Sequence, residues 1–507
     1  MYYFLTKFSY IFNLKRIRYN KKKVRCKDFP MPKKKKQNIL VSFIDEPAAE
    51  GVTGSLVYVE TPNHKILLDA GFYQSNDTKT DYDINNRCFK GFKLKQIDTI
   101  ILSHNHGDHI FLAPILYKKG CNAKTYIPKD SSAILKAMLL DCAYINERDT
   151  ETLNKRLNKE FEPLFNNDDV EYFMNQVTEL PVKQKIKIDD ELTIQFIYSG
   201  HLTKGCQIEL YITCNNRTQK ILYTGDLGNK YIPQPFTETL EYVEKANLVI
   251  GESTYGNRKD LKTTMKERQE DLNKLKQLIE DQVIEKKGRL LIPVFAQARA
   301  QTLAFLLFKL FGKDKNFKTK IYIDSPLACK IFDIFPNILD GKELETFNEM
   351  LEWENFVFIR ESVDSKALVQ SKEPCIILSS SGMCNNGRVK HHIKSIIEDE
   401  NATILFVGYA GEGTLADNLK KKEDKITIDG VEYSRKCNTE MLTTLSSHIT
   451  YFGMIEYYTN INCNKLVLHH GDKNGRIQLK EDLDEIYTQK CRTTNVIIAN
   501  KNTKIYM

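Results

Sequence analysis

The sequence predicts an α/β protein: a two-sheet sandwich interrupted by an inserted domain built on a parallel sheet. Three observations predict it. Short apolar runs rich in Ile, Val and Tyr fill the stretch after Asn38, and several of them end on an aspartate or a histidine. From about Thr254 the rhythm changes to longer helical stretches alternating with buried strands, the pattern of a parallel sheet covered on both faces. After Lys436 the first style returns, so the second domain interrupts the first. The chain accordingly divides into a basic extension over 1–36, first-domain segments over 37–253 and 437–507, and an inserted domain over 254–436.

In chain order, residues 1–36 hold 13 Lys or Arg against the single Asp28, a net of +12 that leaves −4 on the rest of the chain, whose total is +8. Bulk charge therefore gives no argument for nucleic acid, and this opening segment reads as a solvated, disordered tail. The runs "NILVSFI", "GSLVYVE", "KILLDAG", "DTIILSH" and "LTIQFIYSGH" read as strands, and "CQIELYITC" with "KILYTGD" as a hairpin joined through "NNRTQ". Residues 131–180, including "ETLNKRLNKEFEPL", read as a charged helical insertion without ligand candidates. The inserted domain alternates "TMKERQEDLNKLKQLIEDQVIEKK", "RLLIPVF", "AQTLAFLLFKLF", "KIYIDSP", "CIILSSS" and "ATILFVGY", and closes near "KKKEDKITIDGVEYSRK". "LTTLSSHITYFGM", "KLVLHHGDK" and "NVIIANKNTKIYM" complete the first domain. The twelve cysteines form no C-x-x-C pair, which fits a reducing compartment and cysteines used as small core residues. No apolar run reaches membrane-spanning length.

The chemistry is concentrated in "SHNHGDH", three histidines and an aspartate within six residues of a chain that has ten histidines in all. By composition, H-x-H-x-D-H should arise in roughly a few random sequences per ten thousand. Imidazole and carboxylate together suit a divalent, zinc-like ion, and one turn after a strand can present ligands to two of them. Candidates at other strand ends are Asp69, His201 and Asp226. A glycine-containing turn over Ser379–Gly382 offers backbone N–H groups to a phosphate, and Arg299 opens a helix where it could meet one. His391 and His392 fall in a helical stretch and read as surface or packing residues. Of the adjacent His469 and His470, strand alternation lets only one face a metal.

These motifs resemble the metallo-β-lactamase superfamily, through "SHNHGDH", "LLDAG", "YSGH" and "YTGDLG", and its β-CASP subgroup of nucleic-acid-processing enzymes, through "GESTYG", "SSH", "LHHGD", "IPVFAQARAQ", "YIDSPLA", "SSSGMCNNGR" and "GYAGEGTLA". The resemblance covers about residues 40–507. It implies a metallo-β-lactamase αββα sandwich with an inserted parallel-sheet β-CASP domain. It further implies two zinc ions: one held by His104, His106 and His201, a second by Asp108, His109 and His470, with Asp226 bridging. Asp69 would accept a hydrogen bond from the free nitrogen of a ligating imidazole. His448 would donate a proton to the leaving oxygen of a phosphodiester, oriented by Glu252. Ser380, Ser381, Gly382 and Arg299 would meet the substrate.

Histidine at position 470, where DNA-processing members typically carry valine, favours single-stranded RNA as the substrate, cut internally or from an end. The expectation is thus a cytoplasmic, zinc-dependent ribonuclease, with a homodimer as its further assembly and no membrane partner. A DNA nuclease or another hydrolase of this fold is the alternative, followed by an inactive RNA-binding scaffold, which the complete ligand set disfavours. Three departures from the subgroup stand out: Ile449-Thr450 replaces Ala-Asp after the "SSH" histidine, "GHLTKGCQ" replaces a leucine-glycine-serine turn, and "FIDEPAAEGVTGS" lacks the glycines expected before its Val-Thr-Gly-Ser ending.

Overall fold

The structure, a computed structural model, describes residues 39–43, 51–75, 77–87, 93–261, 264–408, 411 and 413–507. The basic extension over 1–36 lies outside them, as do residues 44–50 of "FIDEPAAEGVTGS". Two seven-stranded sheets carry the first domain. One contains β1 (Leu40–Phe43), β2 (Val57–Glu60), β3 (Lys65–Leu68), β4 (Thr99–Ile101), β5 (Lys124–Pro128), β6 (Val177–Leu180) and β22 (Lys504–Tyr506), in the order β22-β1-β2-β3-β4-β5-β6. The other contains β7 (Ile186–Lys187), β8 (Leu192–Tyr198), β9 (Cys206–Cys214), β10 (Arg217–Tyr223), β11 (Lys245–Gly251), β20 (Asn462–Leu468) and β21 (Asn495–Ile498), in the order β21-β20-β11-β10-β9-β8-β7.

Alternation decides how they stack. Along β9 the side chains of Cys206, Ile208, Leu210 and Ile212 share one face, as period two requires, and meet Val57, Val59, Ile66 and Leu68 of the opposite sheet in one buried layer. The outer face of the second sheet packs Leu222, Val249 and Leu466 against Met454, Tyr457 and Leu483 of the helices Tyr451–Asn460 and Lys473–Gln489. That of the first packs Leu67 and Ile100 against Ile115, Leu116 and Leu135 of Ala113–Lys118 and Ser132–Leu157. The layers therefore run helix, sheet, sheet, helix. Each apolar side chain fully buried this way contributes about 1.5–3 kcal/mol.

The third sheet is wholly parallel. Its strands β12 (Arg289–Pro293), β13 (Lys320–Asp324), β14 (Phe356–Phe358), β15 (Cys375–Ser379), β16 (Thr403–Phe406) and β19 (Asn438–Met441) run β14-β13-β15-β12-β16-β19. Both faces are covered, by Arg299–Phe311, Pro326–Ile334 and Gly341–Leu351 on one side and by Ser362–Gln370, Val389–Ile396 and Leu415–Lys420 on the other. Because β19 pairs with β16, this sheet continues past Lys436. A two-stranded ribbon, β17 (Lys425–Ile428) with β18 (Val431–Ser434), precedes β19 and breaks the alternation. Two further differences from the sequence reading have local causes. The helix through "ETLNKRLNKEFEPL" stops at Leu157, where Asn158 turns left-handed at φ 50°. The hairpin turn is only Asn215-Asn216, at φ 52° and 59°, the pair of positive angles a two-residue turn needs and asparagine tolerates.

One contact at the sandwich edge predicts a pH effect. His64, in the β2–β3 turn, places Nδ1 3.0 Å from Asp98 Oδ1 and Nε2 2.7 Å from Asp189 Oδ2, tying the first sheet to the β7–β8 turn of the second. Partial burial lowers the imidazole pKa, but hydrogen bonds and charge from the two aspartates outweigh it and hold it above the ordinary value. A raised folded-state pKa stabilises fully below the unfolded value of about 6.5 and is lost as pH climbs through the folded one. Both aspartates are largely exposed, so the contribution is at most about 1 kcal/mol. Calorimetry of His64→Gln should show Tm lowered by about 1 °C at pH 6 and matching the parent by about pH 9.

Candidate functional site

The sequence candidates gather where strand ends meet. β3 and β4 are parallel neighbours, so Asp69 and the loop from Ser103 to His106 emerge side by side. β10, β11 and β20 are likewise parallel, which brings Asp226, Glu252 and His470 to one edge. β8 runs in the same direction and delivers His201 there, and the amide of Cys206 donates to Ser103 O (2.9 Å) to join the two sheets. The loops are packed too tightly for side chains at two points. A Cβ on Gly71 would lie 1.6 Å from the Asp108 carbonyl oxygen, and one on Gly228 would lie 1.7 Å from that of Gly200.

Asp226 is the centre of this arrangement. Its Oδ2 lies 3.5 Å from Nε2 of both His104 and His201, and His201 Nε2 lies 3.2 Å from His106 Nδ1. Its Oδ1 lies 3.3 Å from His109 Nε2 and 3.5 Å from His470 Nδ1. His470 Nε2 lies 3.3 Å from Asp108 Oδ2 and from His109 Nε2. Four groups of donors have their atoms within 4.8 Å of one another: His104–His106–His201–Asp226 and Asp108–His109–His470 on the two sides of Asp226, and Asp69–His104–His109 and Asp226–Glu252–His448 beside them. One carboxylate thus faces both of the first two.

Whether such a pocket fits divalent ions can be judged from what its atoms lack. His104 Nε2 and Asp226 Oδ1, both facing the pocket, are buried without a hydrogen-bond partner, a state that costs about 1–3 kcal/mol per group when nothing fills it. Burial pushes the pKa of His106 down to about 3 and lowers those of His104 and His201, keeping these imidazoles neutral with a lone pair to give. Burial opposes the charges of Asp226 and Asp108, yet the neighbouring histidines outweigh it and both carboxyls stay ionised. At His109 and His470 burial works against protonation, and the carboxylates overcome it. These carboxylates call for positive charge here, and the nitrogen and oxygen donors suit a zinc-like cation.

Around this pocket stand Ser103, Tyr223 and Thr254, which sequence reasoning missed. Asp69 accepts from Ser103 N (2.7 Å) and Ser103 Oγ (2.7 Å), pairs with His109 Nδ1 (2.6 Å), and also accepts from Tyr223 OH (2.7 Å). Thr254 Oγ1 lies 3.0 Å from His470 Nδ1, and Ser103 Oγ lies 2.9 Å from His104 Nδ1. Such contacts fix imidazole orientation. Tyr223 sits directly before "TGD", but its bond to Asp69 spans 154 residues, so no local pattern announces it.

His448 Nδ1 lies 3.6 Å from Glu252 Oε2 and 4.0 Å from Asp226 Oδ2, with the His448 side chain 21% exposed. Glu252 is fully buried and anchored by the amide of Leu227 at 2.5 Å. Burial disfavours charge on His448, but Glu252, then Asp226, outweigh it and raise its pKa. The Ile449-Thr450 departure is accommodated: Thr450 Oγ1 accepts from Gly453 N (3.3 Å) and caps the helix Tyr451–Asn460. The "GHLTKGCQ" loop turns at Lys204, φ 62°. Of the third departure, Ser55 keeps its place, donating its amide to Asp108 O (2.9 Å).

The substrate candidates are only partly assembled. Arg299 and Gly382 line one small cavity with Phe295, Phe406 and Val407. Arg299 is buried and donates to Ser447 Oγ (3.3 Å), its Nε has no partner, and no carboxylate among the described residues pairs with it. Burial pushes its pKa down to about 10. Ser380 Oγ is buried and unpartnered, whereas Ser381 Oγ is spent on Asn386 O at 3.3 Å. His469 is buried beside Phe43 and Tyr223 with neither ring nitrogen bonded, so it packs while His470 faces the aspartates. His391 is exposed, but His392 is buried against Asp324 Oδ2 at 2.6 Å and packs in the inserted lobe.

Comparison with known proteins agrees with this construction. Residues 50–179 match the metallo-beta-lactamase superfamily model and residues 300–419 the Beta-Casp domain model. The chain is 26% identical to "Ribonuclease TTHA0252" of Thermus thermophilus, across 85% of this chain and 93% of that one. It is 29% identical to an "RNase J-like protein" of Methanocaldococcus jannaschii, across 83% and 90%. It is 26% identical to "Transcription termination factor FttA" of Methanothermobacter thermautotrophicus, across 87% and 68%. A crystal structure of a protein of unknown function from Enterococcus faecalis superposes with a TM-score of 0.52 at 14% identity, over 93% of this chain and all of that one, and so shares the fold. No helix among the described residues is long and apolar enough to cross a membrane. The chain therefore carries a metallo-β-lactamase domain and a Beta-Casp domain, and is a metal-dependent hydrolase.

Proposed function

We propose that this protein is a zinc-dependent ribonuclease that hydrolyses phosphodiester bonds of single-stranded RNA in cytoplasmic RNA processing or decay. The observation that carries the reading is Asp226, whose two oxygens face two separate sets of buried donors. His104, His106 and His201 would hold one ion and Asp108, His109 and His470 a second, with Asp226 between them. These residues would thereby provide a place for Lewis acidity toward the phosphate oxygens and for activation of a water as nucleophile near neutral pH, the chemistry a divalent ion would supply when bound. Asp69, itself fixed by Ser103 and Tyr223, keeps His109 turned toward the pocket.

The chain's own residues do the rest. His448 directs Nδ1 toward Glu252, which favours its protonated form, and leaves the other nitrogen to give a proton to the departing 3′ oxygen. Arg299, buried without a carboxylate, and the loop Ser380–Gly382 would receive a flanking phosphate. Relatives named as a ribonuclease and as an RNase J-like protein support RNA over other esters. The test incubates protein and zinc with RNAs labelled at either end, with single-stranded DNA, and with chelator. Cleavage of RNA that chelator abolishes is expected, and the ladders give internal or end-directed cutting. Preferential cleavage of DNA, or chelator-resistant cleavage of RNA, would overturn the reading. Sedimentation of the same sample tests the homodimer.

A further inference from the structure

The segment that follows Asp226 reaches three places at once. The amide of Ile449 donates to Leu227 O (2.6 Å), Gly228 pairs with His448, and Gln234 Nε2 donates to Ser446 O (3.1 Å), so the segment braces the loop of His448. Farther on, Thr203 Oγ1 donates to Phe236 O (2.7 Å), and Glu238 accepts from Lys204 N (2.9 Å) and pairs with Lys204 Nζ (3.2 Å). Thr203 and Lys204 lie two and three residues after His201, in the loop where this sequence departs from the pattern it resembles. The ring of Phe236 enters the inserted lobe. It meets Phe305 at 5.1 Å and 76°, Phe347 at 5.0 Å and 86°, and Phe335 at 6.4 Å and 84°, all edge-on.

The backbone is bent to make both contacts. Phe236 adopts φ 58°, a left-handed conformation that bulky side chains rarely take, and it is 5% exposed. Its carbonyl thereby serves the His201 loop while its ring is gripped by the helices Arg299–Phe311 and Gly341–Leu351, the first of which begins with Arg299. We propose that Phe236 is a positioning residue: a pin through which the inserted lobe sets the loops of His201 and His448 relative to a strand lying across the cleft. The consequence for RNA rests on the ribonuclease reading; the mechanical linkage does not.

Two variants cut the strap at opposite ends: Phe236→Leu removes the edge-on ring contacts and Thr203→Val removes the hydrogen bond. Amide hydrogen exchange should speed up roughly tenfold in residues 199–205 and 444–450 of either variant while β9 and β10 keep their parent rates. Unchanged exchange in those loops would overturn the pin. In the zinc-loaded full chain, kcat/KM for a long RNA should fall roughly tenfold, through misplacement of the far-reaching contacts, while hydrolysis of bis(p-nitrophenyl) phosphate stays within about twofold. Simple loss of stability would lower both substrates in proportion, and that result would also refute the proposal. The double variant should be no worse than the weaker single one, since both break one linkage. If the parent cleaved neither substrate, the ribonuclease reading would fall while the exchange rates still judged the pin.

Discussion

Asp226→Ala is expected to lower RNA cleavage by about 10³- to 10⁴-fold, the rate equivalent of the several kcal/mol of charge stabilisation that a metal site supplies. The expectation follows from position. Asp226 faces His104 and His201 with one oxygen and His109 and His470 with the other, so its removal disturbs both donor sets. It also takes away the carboxylate that most strongly favours positive charge on His109 and His470. Metal content should therefore drop with activity. Single-turnover cleavage and elemental analysis of the same preparation check both halves; a variant that kept either its metal or its rate would contradict the role.

His448→Ala should behave differently. A positioned proton donor contributes about 10²- to 10⁴-fold, and activity should fall within that range while metal content stays at the parent value. The separation arises because His448 lies 4.0 Å from Asp226 at its nearest and leans on Glu252 at 3.6 Å, so that it clusters with Asp226 and Glu252 and apart from every group that contains His104 or His470. Glu252→Gln should give a smaller loss in the same direction, since it weakens the preference of His448 for its proton without removing the imidazole. Comparing RNAs with poor and good leaving groups sharpens the test: a 3′ thio-substituted linkage, which needs no protonation, should restore much of the rate to His448→Ala. Equal losses on both linkages would assign His448 another task.

The layered architecture is legible because a strand's inward face is written locally, in its own alternation. "CQIELYITC" shows its period-two face in four residues that all end in the core, and the alternation after Thr254 correctly implied a parallel sheet. The site was legible for a related reason: the candidates close strands that lie parallel, so chain order carries them to a common edge. What sequence withheld was set by contacts between distant segments. Nothing near Tyr223 states that its hydroxyl meets Asp69, and nothing near Phe236 states that its ring enters an aromatic pocket formed by residues 305, 335 and 347. β19 falls past the expected end of the inserted domain at 436 because "NTEM" has little strand character of its own and is recruited to that domain's sheet by pairing with β16. His392 packs, as one of the two readings of its helix had it, but its partner Asp324 lies 68 positions earlier and no local pattern announces it.

The claim on which the account depends is that seven side chains, from His104 to His470, would hold cations at the edge where the strand ends of the two sheets meet. Zinc content measured by mass spectrometry on extensively dialysed, active protein tests it most directly. The account predicts about two zinc ions per chain in the parent and a marked deficit in Asp226→Ala. Protein that cleaves RNA at full rate with no bound transition metal would contradict it.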